Sequence, residues 1–301
     1  MKKIFKNLLL VGAMLTSVAA NADEKGHLYI IGDATPYGWS LDMAQCLMSS
    51  PEAPSTYTGT LYLKGGEENT FKFMEAHEFG GIEYGISEKV AVNGEFNLVS
   101  GTLDNGYSKI YVATSGNYFI SIDTKNLTGY ITLSDYQKSE IKYTALFLVG
   151  SATTGGWSVE EGAPLFQSAT APYVYSAKVA LKADGSFKIA TALRGAGTFD
   201  AKYYYFRDAD NAGKISTDSA YDRQWSVEAD GDYIVTVNTI EDTITIDGDN
   251  GQTTGIEDVT MTNVDDMTPV YYNLQGTQVA NPSNGVFIKV VGNNVTKVIL
   301  K

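Results

Sequence analysis

Histidine, cysteine and basic residues are scarce in this chain, and each scarcity removes a class of chemistry. Two histidines occur, His27 and His77, and neither sits in a nucleophile-elbow setting, nor does any Gly-x-Ser-x-Gly occur. A Ser-His-Asp or Cys-His site needs an imidazole within hydrogen-bond reach of its nucleophile, so the sequence argues against that catalysis. Metal sites of the usual His/Cys spacing are also missing. Cys46 is the single cysteine, which rules out an internal disulfide and a stapled scaffold. In the setting LDMAQCLM it reads as a small buried hydrophobe. With 22 Lys and Arg against 35 Asp and Glu, the formal charge is −13. That balance disfavours nucleic acid and anionic lipid as partners, since both need clustered cations. No Gly-rich loop leads into a helix, so no phosphate cradle is predicted.

Long apolar runs are missing too, apart from the first residues. Lys2, Lys3 and Lys6 precede an apolar run from Leu8 to Val18, and Ala20-Asn21-Ala22 follows as a small-x-small site. This pattern predicts a secretory signal peptide over residues 1–22, too short and wrongly flanked for a membrane span. No later stretch reaches the ~18 apolar residues that cross a bilayer as a helix. Loss of that segment removes three lysines and no acids, taking the formal charge to −16. The expected product is exported to the cell surface or secreted.

What is present is duplication. Leu28–Ser40, LYIIGDATPYGWS, returns at Leu146–Ser158 as LFLVGSATTGGWS. Tyr57–Lys64 matches Tyr175–Lys182, Phe71-Lys72 matches Phe187-Lys188, and Gly116-Asn117-Tyr118 matches Gly231-Asp232-Tyr233. One module is carried twice.

The modules are rich in Tyr and Thr, with short alternating runs between Gly, Asn, Asp and Ser clusters, the pattern of an antiparallel β-sandwich. The predicted fold class is all-β: two tandem sandwich modules plus a small C-terminal β tail. The expected boundaries are module 1 at 23–135, a polar linker at 136–143, module 2 at 144–248, a Gly/Asp-rich linker at 249–260 and the tail at 261–301. First-module strands are expected at His27–Gly32, Tyr57–Leu63, Thr70–Met74, Lys109–Ala113, Asn117–Asp123 and Thr128–Leu133. Leu41–Met48 alone has helical spacing and reads as a short helix or turn. The tail reads as four strands, Val270–Leu274, Thr277–Val279, Val286–Val290 and Val295–Leu300. Two Asp-rich stretches, Asp247–Gly251 and Asp208–Gly213, approach a calcium loop, but neither completes its ligand set. No metal or cofactor is expected.

Glycoside hydrolysis needs only two carboxylates ~5–10 Å apart. The candidates Glu75 and Glu83 have no counterparts in module 2, where Thr191 and Phe199 stand nearby. A duplicated module that keeps its scaffold but not its acids points to binding without catalysis. Aromatic rings cover the apolar face of a sugar while polar side chains orient its hydroxyls. Module 1 offers Trp39, Lys72, Phe79, Tyr84 and Tyr107. Module 2 offers Trp157, Lys188, Arg194, Tyr203, Tyr204, Tyr205 and Trp225. Strand alternation puts Lys72 and Lys188 opposite their apolar neighbours, exposed, and puts Tyr203 and Tyr205 on one face. Trp225 aligns with Ile110 and reads as core. The competing reading is a surface spacer or protein-interaction module whose aromatics are all core.

The course Leu-x-x-x-Gly-x-Ala-Thr-x-x-Gly-Trp-Ser, a Phe-Lys-Phe/Ile strand and a closing Gly-x-Tyr hairpin resembles the SusE/SusF family of starch-binding outer-membrane proteins of Bacteroidetes. The resemblance spans about residues 27–248. It implies immunoglobulin-like sandwiches that bind α-glucan on aromatic platforms helped by Lys and Arg, alongside outer-membrane glycan-uptake proteins as partners. Lys72 and Lys188 match the family's strand lysine, and Trp39 and Trp157 its Gly-Trp tryptophans. The family's lipoprotein cysteine is replaced by Asp23, and Phe79 or Tyr84 and the Tyr203–Tyr205 run stand in for a further Trp. The tail, with PVYYNLQGTQVANPSNGVFIKVV, resembles sorting domains of the type IX secretion pathway. That likeness implies delivery to the cell surface through the tail.

Overall fold

The computed structural model describes residues 26–101, 108–193, 200–220 and 222–248. It also describes the strand backbones at 270–272, 278–279, 285–291 and 294–300. The expected signal peptide, the second linker and Arg194 lie outside the described residues. The chain divides into two compact units, the first ending at Thr253 and the second beginning at Thr254.

Both modules lie in the first unit, and each is one antiparallel sheet. Module 1 is built from β1 (His27–Ile31), β2 (Gln45–Ser50), β3 (Ala53–Leu63), β4 (Lys72–Met74), β5 (Glu83–Gly85), β6 (Gly94–Asn97), β7 (Val99–Gly101), β8 (Gly116–Asp123) and β9 (Thr128–Leu133). Their order is β6-β9-β8-β3-β2-β1-β4-β5-β7. Strands β6 and β7 are almost consecutive in the chain yet hold opposite edges, so the sheet has to curl until its halves face each other. Module 2 has β10 (Ala145–Val149), β11 (Ala163–Gln167), β12 (Val174–Leu181), β13 (Lys188–Ala190), β14 (Tyr204–Arg207), β15 (Ile215–Ser216), β16 (Gly231–Asn238) and β17 (Thr243–Gly248). The order β15-β14-β13-β10-β11-β12-β16-β17 repeats the neighbours of module 1 from β7 through to β9, with no counterpart of the edge strand β6. Here the edges join directly: the Ile215 N–H donates to Asp242 O and the Ile244 N–H to Gly213 O, both at 3.0 Å. The fold is all-β, as the alternating runs predict.

Each curled sheet encloses its own core. Leu28, Ile30, Phe71, Phe73 and Ile120 fill the first, and Leu146, Leu148, Phe187, Ile189 and Val235 fill the second. Trp225 is in the second core and bridges Phe187 as Ile110 bridges Phe71. The register read from the repeat therefore survives in three dimensions.

A third core lies between the modules. Tyr29 and Ile31 on the outer face of β1, with Cys46 and Met74, pack against Phe147 and Val149 on the outer face of β10, with Tyr204 and Phe206. Tyr29 and Phe147 are repeat equivalents, as are Ile31 and Val149, so the same face of each module meets the other, as in an isologous contact. Strands buried on both faces show no alternation, which is why Leu28–Ile31 and Leu146–Val149 are unbroken apolar runs. Polar side chains fix the contact. Gln167 accepts from Thr60 N at 2.6 Å and donates to Thr60 O at 2.9 Å, and Thr144 Oγ1 donates to Cys46 O at 2.6 Å. The segment 136–143 is tied down along module 1. Asn117 Nδ2 donates to the carbonyls of Tyr136 and Ser139 at 2.9 and 2.7 Å, while its Oδ1 accepts from Ile141 N at 2.9 Å.

Two elements differ from expectation: the strand expected at Lys109–Ala113 is reduced to isolated bridges of Ile110 with Phe71 and of Tyr111 with Ala91. The helical spacing of Leu41–Met48 yields a single 3-10 turn, Leu41–Met43, before β2 begins at Gln45. Gln45, Cys46, Leu47 and Met48 are all buried, so β2 serves both the inner core and the intermodule core and carries no period-2 signal.

In the second unit β18 (Val270–Tyr272), β19 (Gln278–Val279), β20 (Gly285–Val291) and β21 (Asn294–Leu300) form one antiparallel sheet ordered β19-β18-β20-β21. All four tail strands occur within two residues of the positions their spacing predicts.

Candidate ligand-binding site

The repeated Gly-x-Ala-Thr-x-x-Gly-Trp motif is a device for laying a tryptophan on a lysine. At Gly32 a Cβ would come within 2.2 Å of Thr70 O, and at Gly150 within 2.0 Å of Ser186 O. Only glycine lets the chain entering β4 or β13 approach so closely. The threonine then closes the loop, with Thr35 Oγ1 donating to Gly32 O and Thr153 Oγ1 to Gly150 O, each at 2.9 Å. Gly38 and Gly156 turn the chain in the left-handed region, at φ of 60° and 59°. The next residue is Trp39 in module 1 and Trp157 in module 2.

Lys72 and Lys188 stand on the outer faces of β4 and β13, beneath those rings. Lys72 Nζ lies 5.9 Å from the Trp39 ring centre and 5.1 Å from that of Phe79. Lys188 Nζ lies 5.3 Å from Trp157, 4.9 Å from Tyr204 and 5.2 Å from Phe206. A cation over an aromatic face is worth about 0.5–2 kcal/mol, more as water is excluded. Water is excluded here: Lys72 is 0 % exposed and Lys188 1 %. The expectation of exposed lysines is thus overturned. Alternation did put them on the outer faces, but that face of each sheet borders the intermodule core and is roofed by the Gly-Trp loop.

Their carboxylate partners differ. Lys72 donates to Glu83 Oε1 on the adjacent strand β5, and that carboxylate is fully buried. Lys188 donates to Asp222 Oδ1 at 2.6 Å, and the Asp222 side chain is 58 % exposed. The pairings Met74↔Glu83 and Ala190↔Tyr204 make Glu83 and Tyr204 equivalent. Module 1 therefore answers its lysine with a carboxylate where module 2 supplies a ring, and module 2 takes its acid from a loop.

The tyrosines read as ligand residues fall elsewhere. Tyr84 pairs with core Phe73, and Tyr205 pairs with core Ile189. Directly opposed residues share a face, so both point inward. Tyr84 is buried, its hydroxyl donating to Glu75. Tyr203 belongs to the 3-10 turn Ala201–Tyr203, and the strand begins only at Tyr204. Tyr203 and Tyr205 therefore do not share a strand face. Tyr203 is buried in the intermodule core, its hydroxyl 3.4 Å from Asp42 Oδ2. Tyr205 meets Tyr143 edge-on, and Tyr143 stacks on Tyr37. Burial, then the neighbouring Tyr143, pushes the phenols of Tyr37 and Tyr205 far above the usual range.

Solvent-facing rings remain at Trp157, 38 % exposed, and Phe79, 49 % exposed. Trp39 is half-buried, and exposed Lys109 reaches over it at 4.5 Å. Lys109, Asp222, Tyr204 and Phe206 complete the two clusters. The signal for the last two was the alternation of β14, which sets Tyr204 and Phe206 beside Lys188 once β14 is known to neighbour β13. Asp222, in an irregular loop, carried none. Among the described residues no group of three His, Cys, Asp or Glu is placed to hold a metal, and no helix is long and apolar enough to cross a membrane.

No family model matches the sequence, and no curated protein matches it. Among solved structures, SusF from Bacteroides thetaiotaomicron is similar at 19 % identity and a TM-score of 0.32, over 88 % of this chain and 57 % of that chain. The chain thus spans less than two thirds of that protein. A likeness at this level leaves function to be argued from the residues themselves.

Proposed function

We propose that this chain is a non-catalytic carbohydrate-binding protein delivered to the cell surface, holding α-glucan chains on aromatic platforms. The observation that carries the reading is the tryptophan-over-lysine cluster, built twice by one motif at equivalent positions. In module 2 the Trp157 ring is backed by the Lys188 ammonium and turns a large part of its surface to solvent beside the exposed Asp222 carboxylate. A flat ring next to a hydrogen-bonding acid is the minimum that a pyranose needs. The lysines act as supports that fix the ring rather than as groups donating to sugar hydroxyls. In module 1, Phe79 and Trp39 with Lys109 take the corresponding role. The N-terminal segment would direct export, and the tail would direct surface delivery beside glycan-uptake proteins.

A second reading, the spacer module, draws on the burial of Lys72, Lys188, Tyr84 and Tyr203. Affinity electrophoresis of the full chain through gels containing amylopectin, beside other polysaccharides, separates the two. Retardation by amylopectin that weakens in Trp157→Ala supports the glucan reading. Retardation only by another glycan keeps the binding class and removes starch. Unhindered migration in every gel favours the spacer.

A further inference from the structure

Module 1 carries a cleft of about 520 Å³ whose lining includes neither Trp39 nor Lys72 but includes Asp33, Pro36, Tyr37, Tyr62, Lys64, Glu140 and Lys142. Its walls are fixed by backbone bonds. The Tyr62 N–H donates to Ile141 O and the Lys64 N–H to Ala34 O, each at 2.8 Å. Asn117 anchors the segment that supplies Glu140 and Lys142. Tyr37 is held from behind by its stack on Tyr143, ring centres 6.0 Å apart. The backbone that presents these side chains is thus set before a ligand enters, which lowers the cost of binding.

The repeat shows which of these residues the scaffold does not require. Gly32, Ala34, Thr35, Gly38 and Lys64 have identical counterparts in Gly150, Ala152, Thr153, Gly156 and Lys182. Of the residues lining the cleft, Ala34, Thr35, Gly38 and Lys64 are thus kept in both modules, whereas Asp33 stands against Ser151, Pro36 against Thr154, Tyr37 against Gly155 and Tyr62 against Ala180. Module 2 has no space for a ring at the first tyrosine position, since a Cβ on Gly155 would lie 2.1 Å from Glu161 O. The same fold stands with glycine and alanine there, so the two aromatic rings are additions particular to module 1.

We infer that this cleft is a second carbohydrate subsite, specific to module 1, that takes a neutral oligosaccharide. The inference rests on the glycan-binding reading above and adds a place and a ligand charge to it. Two half-buried tyrosines supply the apolar surface, and two lysines and two carboxylates, all exposed, supply hydroxyl partners with no net charge. On a chain of formal charge −13, such a balanced cleft favours a neutral chain over an acidic one.

The test is calorimetric titration of the full chain with maltoheptaose, cellohexaose and xylohexaose, with oligogalacturonate as the acidic probe. The variants are Tyr62→Ala, Lys142→Ala and Trp157→Ala. Because module 2 folds with alanine at the Tyr62 position, Tyr62→Ala leaves the fold intact, checked by an unchanged unfolding midpoint. The inference expects a neutral oligosaccharide to bind, with Tyr62→Ala weakening it about ten-fold or more, the loss expected for an aromatic anchor. It also expects Lys142→Ala to weaken it to a lesser degree, and Trp157→Ala to leave that component in place. If Trp157→Ala removes all binding and Tyr62→Ala none, the cleft is overturned and the platform reading stands. Binding of oligogalacturonate alone overturns the ligand class. No binding of any probe by the unaltered chain overturns both readings.

Discussion

The two lysines give a paired experiment in which burial alone should decide the outcome. Glu83→Gln and Asp222→Asn each remove one negative charge from a lysine while keeping the side chain's shape. In module 1 both partners are out of water, their side chains 1 % and 0 % exposed. Removing one partner of a buried pair strands the other charge and costs about 3–5 kcal/mol. In module 2 the Lys188 side chain is 2 % exposed but Asp222 is 58 % exposed. A half-solvated pair is worth about 0–1 kcal/mol, and the rings of Trp157, Tyr204 and Phe206 still face the ammonium. For a unit of this size, 1 kcal/mol moves the melting midpoint by about 2–4 °C. Glu83→Gln should therefore lower Tm by about 6–20 °C, and Asp222→Asn by at most about 4 °C. Urea unfolding followed by tyrosine and tryptophan fluorescence reads the difference directly. A double change, Lys72→Met with Glu83→Leu, should recover most of the loss, since well-packed apolar replacements of buried pairs are often neutral. Equal losses from the two single variants, or no recovery in the double, would refute the claim that burial governs these pairs.

Two further outcomes follow from the intermodule core and a third from the core of module 2. Phe147→Ala deletes a ring that is buried between the modules and should cost about 3–5 kcal/mol; limited proteolysis should then cut within residues 136–143, and an unchanged digestion pattern would contradict the role assigned to this contact. Cys46 is buried, and that burial raises its thiol well above the usual range, so a disulfide-exchange reagent should label it only as fast as the modules separate; rapid labelling of the folded chain would show the interface to be open. Tyr175 and Tyr205 have phenols raised first by burial, so the folded state holds protons that the unfolded chain releases above pH ~10. Their stabilising contribution is complete below that pH and is lost as pH rises further, by about 1.4 kcal/mol per pH unit for each phenol kept protonated. Tyr175→Phe should flatten that slope in urea titrations between pH 9 and 11.5, and an unaltered slope would count against it.

The duplication made much of the fold legible. Matching Phe71 with Phe187 and Ile110 with Trp225 places Trp225 in the core from sequence alone, and the same two pairs bridge in each sheet. The turn Thr124-Lys125-Asn126-Leu127, between the strands expected at Asn117–Asp123 and Thr128–Leu133, carries a chemical signature of its own. Asp123 accepts from the N–H groups of Lys125 and Asn126, and Asn238 does the same work for Ile240 and Glu241 in module 2. Less legible was everything that depends on the modules facing each other. Period-2 alternation tells which residues oppose the core, but not whether the opposite face meets water. Lys72 and Lys188 therefore lie buried against expectation, and the part of Leu41–Met48 that forms β2 reads as a short helix or turn because both its faces are buried. The unbroken apolar runs of β1 and β10 were the available sign that their outer faces were also covered. Tyr84 and Tyr205 were read as ligand residues on composition, whereas their cross-strand partners Phe73 and Ile189 fix them inward.

The most direct test of the central claim uses the three tryptophans as reporters. Trp225 is buried in the module 2 core, whereas Trp39 and Trp157 carry the proposed platforms. Titration of the full chain with maltoheptaose, followed by intrinsic fluorescence, should give a saturable change that is diminished in Trp157→Phe and abolished when Trp39→Phe is added. An emission spectrum unmoved by maltoheptaose and by the other oligosaccharides would mean that the platforms meet no sugar, and that the motif which builds them serves the fold alone.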